Sequence, residues 1–118
     1  MKIFLDTADT DIIRKYFETG LVDGVTTNPT LIMKSGRNPE DVYEDIRDIG
    51  VKDISMEVVG NAEDMITEGV RLYQKFGDVC TIKVPCTREG LEVCKKLSDM
   101  GIKVNVTLIF CAAQAVLA

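Results

Sequence analysis

The chain has 118 residues, 46% of them hydrophobic and 28% charged, and a formal net charge of −5. That is one globular domain's worth of chain, long enough to bury a core, but short of the roughly 200 residues that a complete (β/α)8 barrel needs. An acidic chain without a basic run is a poor match for nucleic acid or an anionic membrane, and the sequence shows neither a charged leader before a long apolar stretch nor a run of membrane-spanning length.

Short apolar runs alternate with longer amphipathic segments. Residues 2–6 read as a strand. Residues 10–19 read as a helix with Ile12, Ile13, Tyr16 and Phe17 on one face and Gly20 as its stop. Residues 22–27 form a second strand, Pro29 opens a short helical turn, and Lys34–Arg37 read as a basic, Gly-containing loop. Asn38 is placed as an N-cap with Pro39 at the first helical position. Val42, Tyr43, Ile46 and Ile49 make the stripe of that helix, and Gly50 ends it. A third strand covers 53–59. Asn61 then caps a helix with Ala62, Met65, Ile66, Val70, Tyr73 and Phe76 inward. A fourth strand covers 79–84. Thr87 caps a helix through Met100, stopped by Gly101. A fifth strand covers 103–109, and a last helix begins at 112.

Strands alternating with helices predict an α/β fold with a parallel sheet. The strands start about 25 residues apart, so eight such units need about 200 residues, and this chain holds a little under five.

Cys80, Cys86, Cys94 and Cys111 include no CxxC pair, and there is no histidine. This speaks against a zinc site and against a His-based triad. It points to free thiols in a reducing cytoplasm rather than to disulfides.

Alternate strand residues point to opposite faces. One face is apolar: Ile3 and Leu5; Val25; Ile54, Met56 and Val58; Cys80, Ile82 and Val84; Val104, Val106 and Leu108. The other carries Asp6, Thr26, Glu57, Lys83, Asn105 and Thr107, with Asn28 just past the second strand. A doubly wound sheet would be apolar on both faces, whereas a β/α barrel keeps its chemistry at the C-terminal ends of inward faces. The parity therefore favours a barrel interior. The absence of GxGxxG and GxxxxGK[ST] agrees.

Lys83, inside TIKVP, is the sharpest residue. Burying an ammonium is costly, and that cost favours the neutral amine, a nucleophile for a carbonyl. The plainer reading is a strand-end lysine that snorkels or pairs with an acid. Glu57 and Asp6 read either as a general acid/base pair around that amine or as salt-bridge partners without chemistry. Asn28 and Asn105 read as amides that orient substrate hydroxyls, or as a turn residue before Pro29 and a satisfied buried amide. Thr107 reads as a group that places a water, or as an ordinary strand residue. Lys34, Ser35, Gly36 and Arg37 read as a solvated loop rather than a phosphate contact. Cys86 and Cys111 have no histidine to activate them and read as inert.

Four strings, FLDTAD (4–9), DGVTTNPTLI (23–32), IKVPCTREGL (82–91) and NVTLIFCAAQA (105–115), together resemble the transaldolase family, especially its small members and the related fructose-6-phosphate aldolases. The resemblance runs through the whole chain and implies a class I aldolase-type barrel. By motif, it implies that Lys83 is the Schiff-base lysine and that Asp6 takes the proton from the hydroxyl next to the cleaved bond. Glu57 would shuttle protons through a water that Thr107 helps place. Asn28 and Asn105 would hold substrate hydroxyls, with Thr26 also substrate-binding. The implied reaction passes a dihydroxyacetone unit from fructose 6-phosphate or sedoheptulose 7-phosphate to an aldose phosphate, in the non-oxidative pentose phosphate pathway. It needs no metal or organic cofactor, because side chains perform every proton transfer and the covalent step. In the family a carboxylate at the position of Glu57 goes with transaldolases and a glutamine with fructose-6-phosphate aldolases, so transaldolase is favoured.

Strands six to eight are missing, and with them the family's later serine and phosphate-binding arginine. Residues 108–118 carry no charge, and the fifth strand is an open edge. Residues 1–118 are thus expected to be the N-terminal half of a barrel domain with no second domain. Either a longer protein supplies the rest, or a second half-barrel or another copy of the chain covers the edge. A non-catalytic half-barrel that serves only assembly is the alternative to an enzyme. The expected partners are sugar phosphates and a second copy, in the cytoplasm.

Overall fold

Five strands alternate with helices along the chain in a computed structural model that describes residues 1–118. Its contacts divide into two units, Met1–Met56 and Glu57–Ala118.

The first unit holds β1 (Phe4–Asp6), α1 (Thr10–Phe17), β2 (Gly24–Thr26), α2 (Pro29–Ser35), α3 (Pro39–Ile49) and all of β3 (Ile54–Glu57) but its last residue. β2 runs parallel to both neighbours. Asp6 is paired with Thr26, and Thr26 with Ser55. The core is Ile13, Val25, Val42, Ile46, Val51 and Ile54, all essentially inaccessible.

Local chemistry sets the helix ends. Asn38 Oδ1 accepts from Glu40 N–H at 3.0 Å, Pro39 takes the first helical position, and Gly50 closes α3 at φ 108°. A side chain at Gly50 would be strained by that φ and crowded by the Phe17 ring, 3.3 Å from where its Cβ would lie.

Two expectations shift in this unit. The basic segment 34–37 is half helical: α2 runs through Lys34 and Ser35, and Gly36 ends it in the left-handed region. Asn28 caps α2 and Pro29 starts it, so the helix is nucleated well enough to run past a single turn. On α1 only Ile13 is buried, while Ile12 and Tyr16 are 43% and 46% exposed. α1 packs on α3 along the narrow row of Ile13 and Phe17, too narrow for the whole apolar face.

The second unit contains Glu57, α4 (Ala62–Phe76), a 3-10 turn (Gly77–Val79), β4 (Cys80–Pro85), α5 (Arg88–Asp99), β5 (Lys103–Thr107) and α6 (Ala112–Leu117). β4 and β5 are parallel, with Lys83 opposite Asn105 and Pro85 opposite Thr107. Val58 N–H donates to Lys83 O at 3.1 Å. The segment leaving β3 therefore lies beside β4, as a barrel order requires and a Rossmann order does not. The core is Val58, Met65, Leu72, Phe76, Ile82, Val84, Val93 and Leu97.

The buried row of α4 is Met65, Gly69, Leu72 and Phe76, rotated from the expected stripe. Gly69 carries no hydropathy signal, yet it marks the closest approach: a Cβ there would lie 3.1 Å from Leu97 Cδ1 and 3.5 Å from Ile82 Cγ2. β5 stops at Thr107 rather than 109, because Leu108 turns to φ 62° and leaves the ladder.

No helix is long and apolar enough to cross a membrane. The fold is thus α/β with parallel strands, as the alternation predicted.

Gly90, in the first turn of α5, admits no side chain, since a Cβ would overlap the Pro85 carbonyl oxygen. Gly90→Ala is expected to destabilise the chain by about 1–3 kcal/mol. A urea midpoint equal to that of the parent would refute this close approach.

Candidate active site

β4 is buried on both faces. Cys80, Ile82 and Val84 are inaccessible on one, and Thr81 and Lys83 are 7% and 8% exposed on the other. A lysine so placed needs a counter-charge. Glu57, the last residue of β3, supplies it, with Oε2 3.3 Å from Lys83 Nζ and both side chains nearly buried. Asn105 is the register neighbour of Lys83, and Thr107 lies two residues further on, so both share its face. Cys86 N–H donates to Thr107 O at 2.8 Å and fixes that strand end. The second unit therefore groups Glu57, Lys83, Asn105 and Thr107 as parity predicted.

The first unit groups Asp6, Thr26 and Asn28. Thr26 Oγ1 donates to Asp6 Oδ1 at 2.8 Å across the β1–β2 pairing. The hydroxyl thus occupies one carboxylate oxygen and leaves Oδ2 to other work. Asn28 is the N-cap of α2: its Oδ1 accepts from Leu31 N–H at 2.9 Å. The cap takes the oxygen and leaves the amide NH2 as the donating end. The turn role and the amide donor weighed for Asn28 are therefore compatible.

Ser55 is a buried polar residue not singled out among the site candidates. It is 2% exposed, it is the register neighbour of Thr26, and its carbonyl accepts from Thr27 Oγ1 at 3.1 Å. Its parity was visible in the sequence, but a serine in a strand carries too little signal to stand out.

A strand-borne lysine with a carboxylate beside it can add to a carbonyl and move protons around the adduct. Parallel strands alternating with helices, with such a pair at the strand ends, put the chain in the architectural class of β/α barrels, which build their sites at those ends. Comparison narrows this. The family described as Transaldolase/Fructose-6-phosphate aldolase matches residues 3–118. The chain is 51% identical to a probable transaldolase of Nitrosopumilus maritimus and 55% identical to one of Paracoccus denitrificans. In each case all of this chain aligns, with 53% and 54% of the relative. The chain belongs to the transaldolase/fructose-6-phosphate aldolase family, and it spans about half the length of the curated relatives it matches. Its fold is of the family's barrel type, represented by five βα units.

Removing Glu57 leaves a buried cation without its carboxylate. Glu57→Leu should destabilise by about 3 kcal/mol, whereas Asp99→Asn, at the exposed Lys95–Asp99 pair, should change stability by less than about 1 kcal/mol. Equal urea midpoints for the two variants would show that the Glu57 pair contributes no more than a surface one.

Proposed function

We propose that the chain carries the Schiff-base half of a transaldolase site and passes a three-carbon dihydroxyacetone unit between sugar phosphates. The observation that carries this reading is the buried Lys83–Glu57 pair at 3.3 Å, in a chain whose family matches from residue 3 to its last residue.

Glu57 takes a proton from the Lys83 ammonium, 3.3 Å away, and the amine so freed adds to the ketone carbon of fructose 6-phosphate. Glu57 returns a proton to the carbinolamine hydroxyl, which leaves as water, and a protonated imine remains. Asp6 Oδ2, left open by the Thr26 hydrogen bond, takes the proton of the C4 hydroxyl. The C3–C4 bond breaks, its electron pair enters the imine to form an enamine, and glyceraldehyde 3-phosphate departs. The enamine carbon then attacks the aldehyde of erythrose 4-phosphate, Asp6 returns its proton to the new hydroxyl, and hydrolysis of the imine frees Lys83 and sedoheptulose 7-phosphate. Asn28 and Asn105 hold hydroxyls, Thr26 orients Asp6, and Thr107 helps place the water that serves Glu57. On this reading the reaction belongs to the non-oxidative pentose phosphate pathway. No disulfide joins its four cysteines, which suits a reducing cytoplasm. On this reading residues 1–118 are one half of a barrel domain.

Borohydride reduction with fructose 6-phosphate should fix a ketose adduct on Lys83, seen by peptide mass spectrometry. Lys83→Ala should abolish it, and an unlabelled Lys83 peptide in the parent chain would overturn the proposal. Asp6→Asn should keep the adduct and lower cleavage by about 100-fold or more. Product analysis separates the close alternative: transfer to erythrose 4-phosphate marks a transaldolase, and free dihydroxyacetone marks an aldolase.

The proposal includes assembly. Phe110 and Val116 are 83% and 86% exposed, and Leu108 and Leu117 stand out beside them. Residues 104–118 carry no charge in a chain of net charge −5, so two copies can meet there without like-charge repulsion. Sedimentation at low micromolar concentration should give about twice the 13.1 kDa chain mass. A monomer would refute self-association.

A further inference from the structure

The first unit contains an open cavity of about 380 Å³ that has no part in the chemistry above. One wall is Thr7, Ala8, Asp9 and Thr10, directly after β1. The other is Leu31, Lys34, Ser35 and Arg37, on and just after α2. The first wall directly follows the C-terminal end of β1, where β/α proteins collect ligand-binding loops, the second is carried by α2 and the turn after it, and the volume falls in the small-molecule range.

The lining is chemically uneven. Lys34 is engaged by no ion pair or hydrogen bond. Arg37 donates one guanidinium nitrogen to Asp45 at 2.6 Å, which holds the group while its other N–H donors stay open. Ser35 Oγ is used internally: it donates to Ile32 O and accepts from Arg37 N–H, so it shapes the turn that carries the guanidinium. Thr7 Oγ1 accepts from Asp9 N–H and keeps its own proton to donate. Asp9 Oδ1 accepts from Asp11 and Ile12 N–H as the cap of α1, and Oδ2 remains. Two cations and the Thr7 hydroxyl thus line the same cavity as one carboxylate that is half committed to a helix. Ala8 and Leu31 form the apolar remainder.

We propose that this cavity is a second small-molecule site that takes a phosphate monoester of a short polyol. The phosphate lies against Lys34 and Arg37, whose charge-assisted donors suit its oxygens. A polyol hydroxyl donates to Asp9 Oδ2. The site is independent of the Lys83 imine, because it needs no carbonyl in the ligand and all its residues lie in the first unit.

The test uses the full 118-residue chain and glycerol 3-phosphate, which has no carbonyl to form an imine. In ¹⁵N-resolved NMR titrations its addition should move the amides of residues 7–10 and 34–37 and saturate. Glycerol should bind at least about tenfold more weakly, since it lacks the charged end. Inorganic phosphate should shift residues 34–37 without shifting Asp9. Lys34→Ala should weaken glycerol 3-phosphate by about tenfold or more. Arg37→Lys should also weaken it, with the unliganded spectrum otherwise unchanged. Lys83→Ala should leave the titration as it was, so loss of borohydride trapping and loss of this site are separately visible. Equal affinity in the parent and Lys34→Ala, equal binding of glycerol, or shifts confined to the surroundings of Lys83 would each overturn the proposal.

Discussion

The buried ion pair between Lys83 and Glu57 is the constraint on which the second unit depends. An ammonium group removed from water is tolerated only with a counter-charge close by, and the pair brings the end of β3 against β4. The Val58–Lys83 backbone hydrogen bond fixes the same juxtaposition from the main chain. Side chain and backbone therefore specify one register, which is the agreement across levels that gives a sequence a single structure. With Lys83 on one face, the opposite face of β4 must be covered as well. α4 and α5 cover it through Met65, Leu72, Val93 and Leu97, seated closely because Gly69 offers no side chain.

The first unit handles its polar groups differently. Asp6 is exposed rather than buried, and its partner is a hydroxyl rather than a charge. A hydroxyl bond orients a carboxylate at little desolvation cost, whereas the Lys83 pair holds two charges nearly out of water. The two groupings differ accordingly: one orients a solvent-accessible carboxylate through a hydroxyl, and the other holds a charged pair nearly out of water.

Most of this was legible in the sequence because the signals are local and periodic. The caps at Asn38, Asn61 and Thr87 and the stops at Gly50 and Gly101 lie where their chemistry predicts. The period of two along β4 and β5 separated polar from apolar faces without any knowledge of neighbours. The misses share a cause, since each depends on what a segment packs against. Hydropathy alone makes the α1 face too wide, because the row that packs on α3 is set by that neighbour and not by local sequence. The α4 face was rotated because a glycine at the contact has no hydropathy. The end of β5 was overrun because Leu108 adopts a left-handed conformation that composition does not favour. The Lys34–Arg37 segment has the composition of a plain loop, and the cavity beside it arises from tertiary placement. The family itself was legible from four strings, and the match over residues 3–118 bears that out.

The alternation along β4 also governs how a gene for such a chain can vary. Substitutions act on one face at a time, so the Cys80, Ile82, Val84 row can drift among apolar residues while Lys83 stays fixed. A one-codon deletion between Thr81 and Lys83 would exchange the faces of everything after it. It would carry the amine out among the helices and send an aliphatic side chain inward. The connections between elements, such as those around Gly36 and Gly60, carry no such face constraint and tolerate a change of length better. The strands, short as they are, behave as units of invariant length that mutation can recolour but not resize.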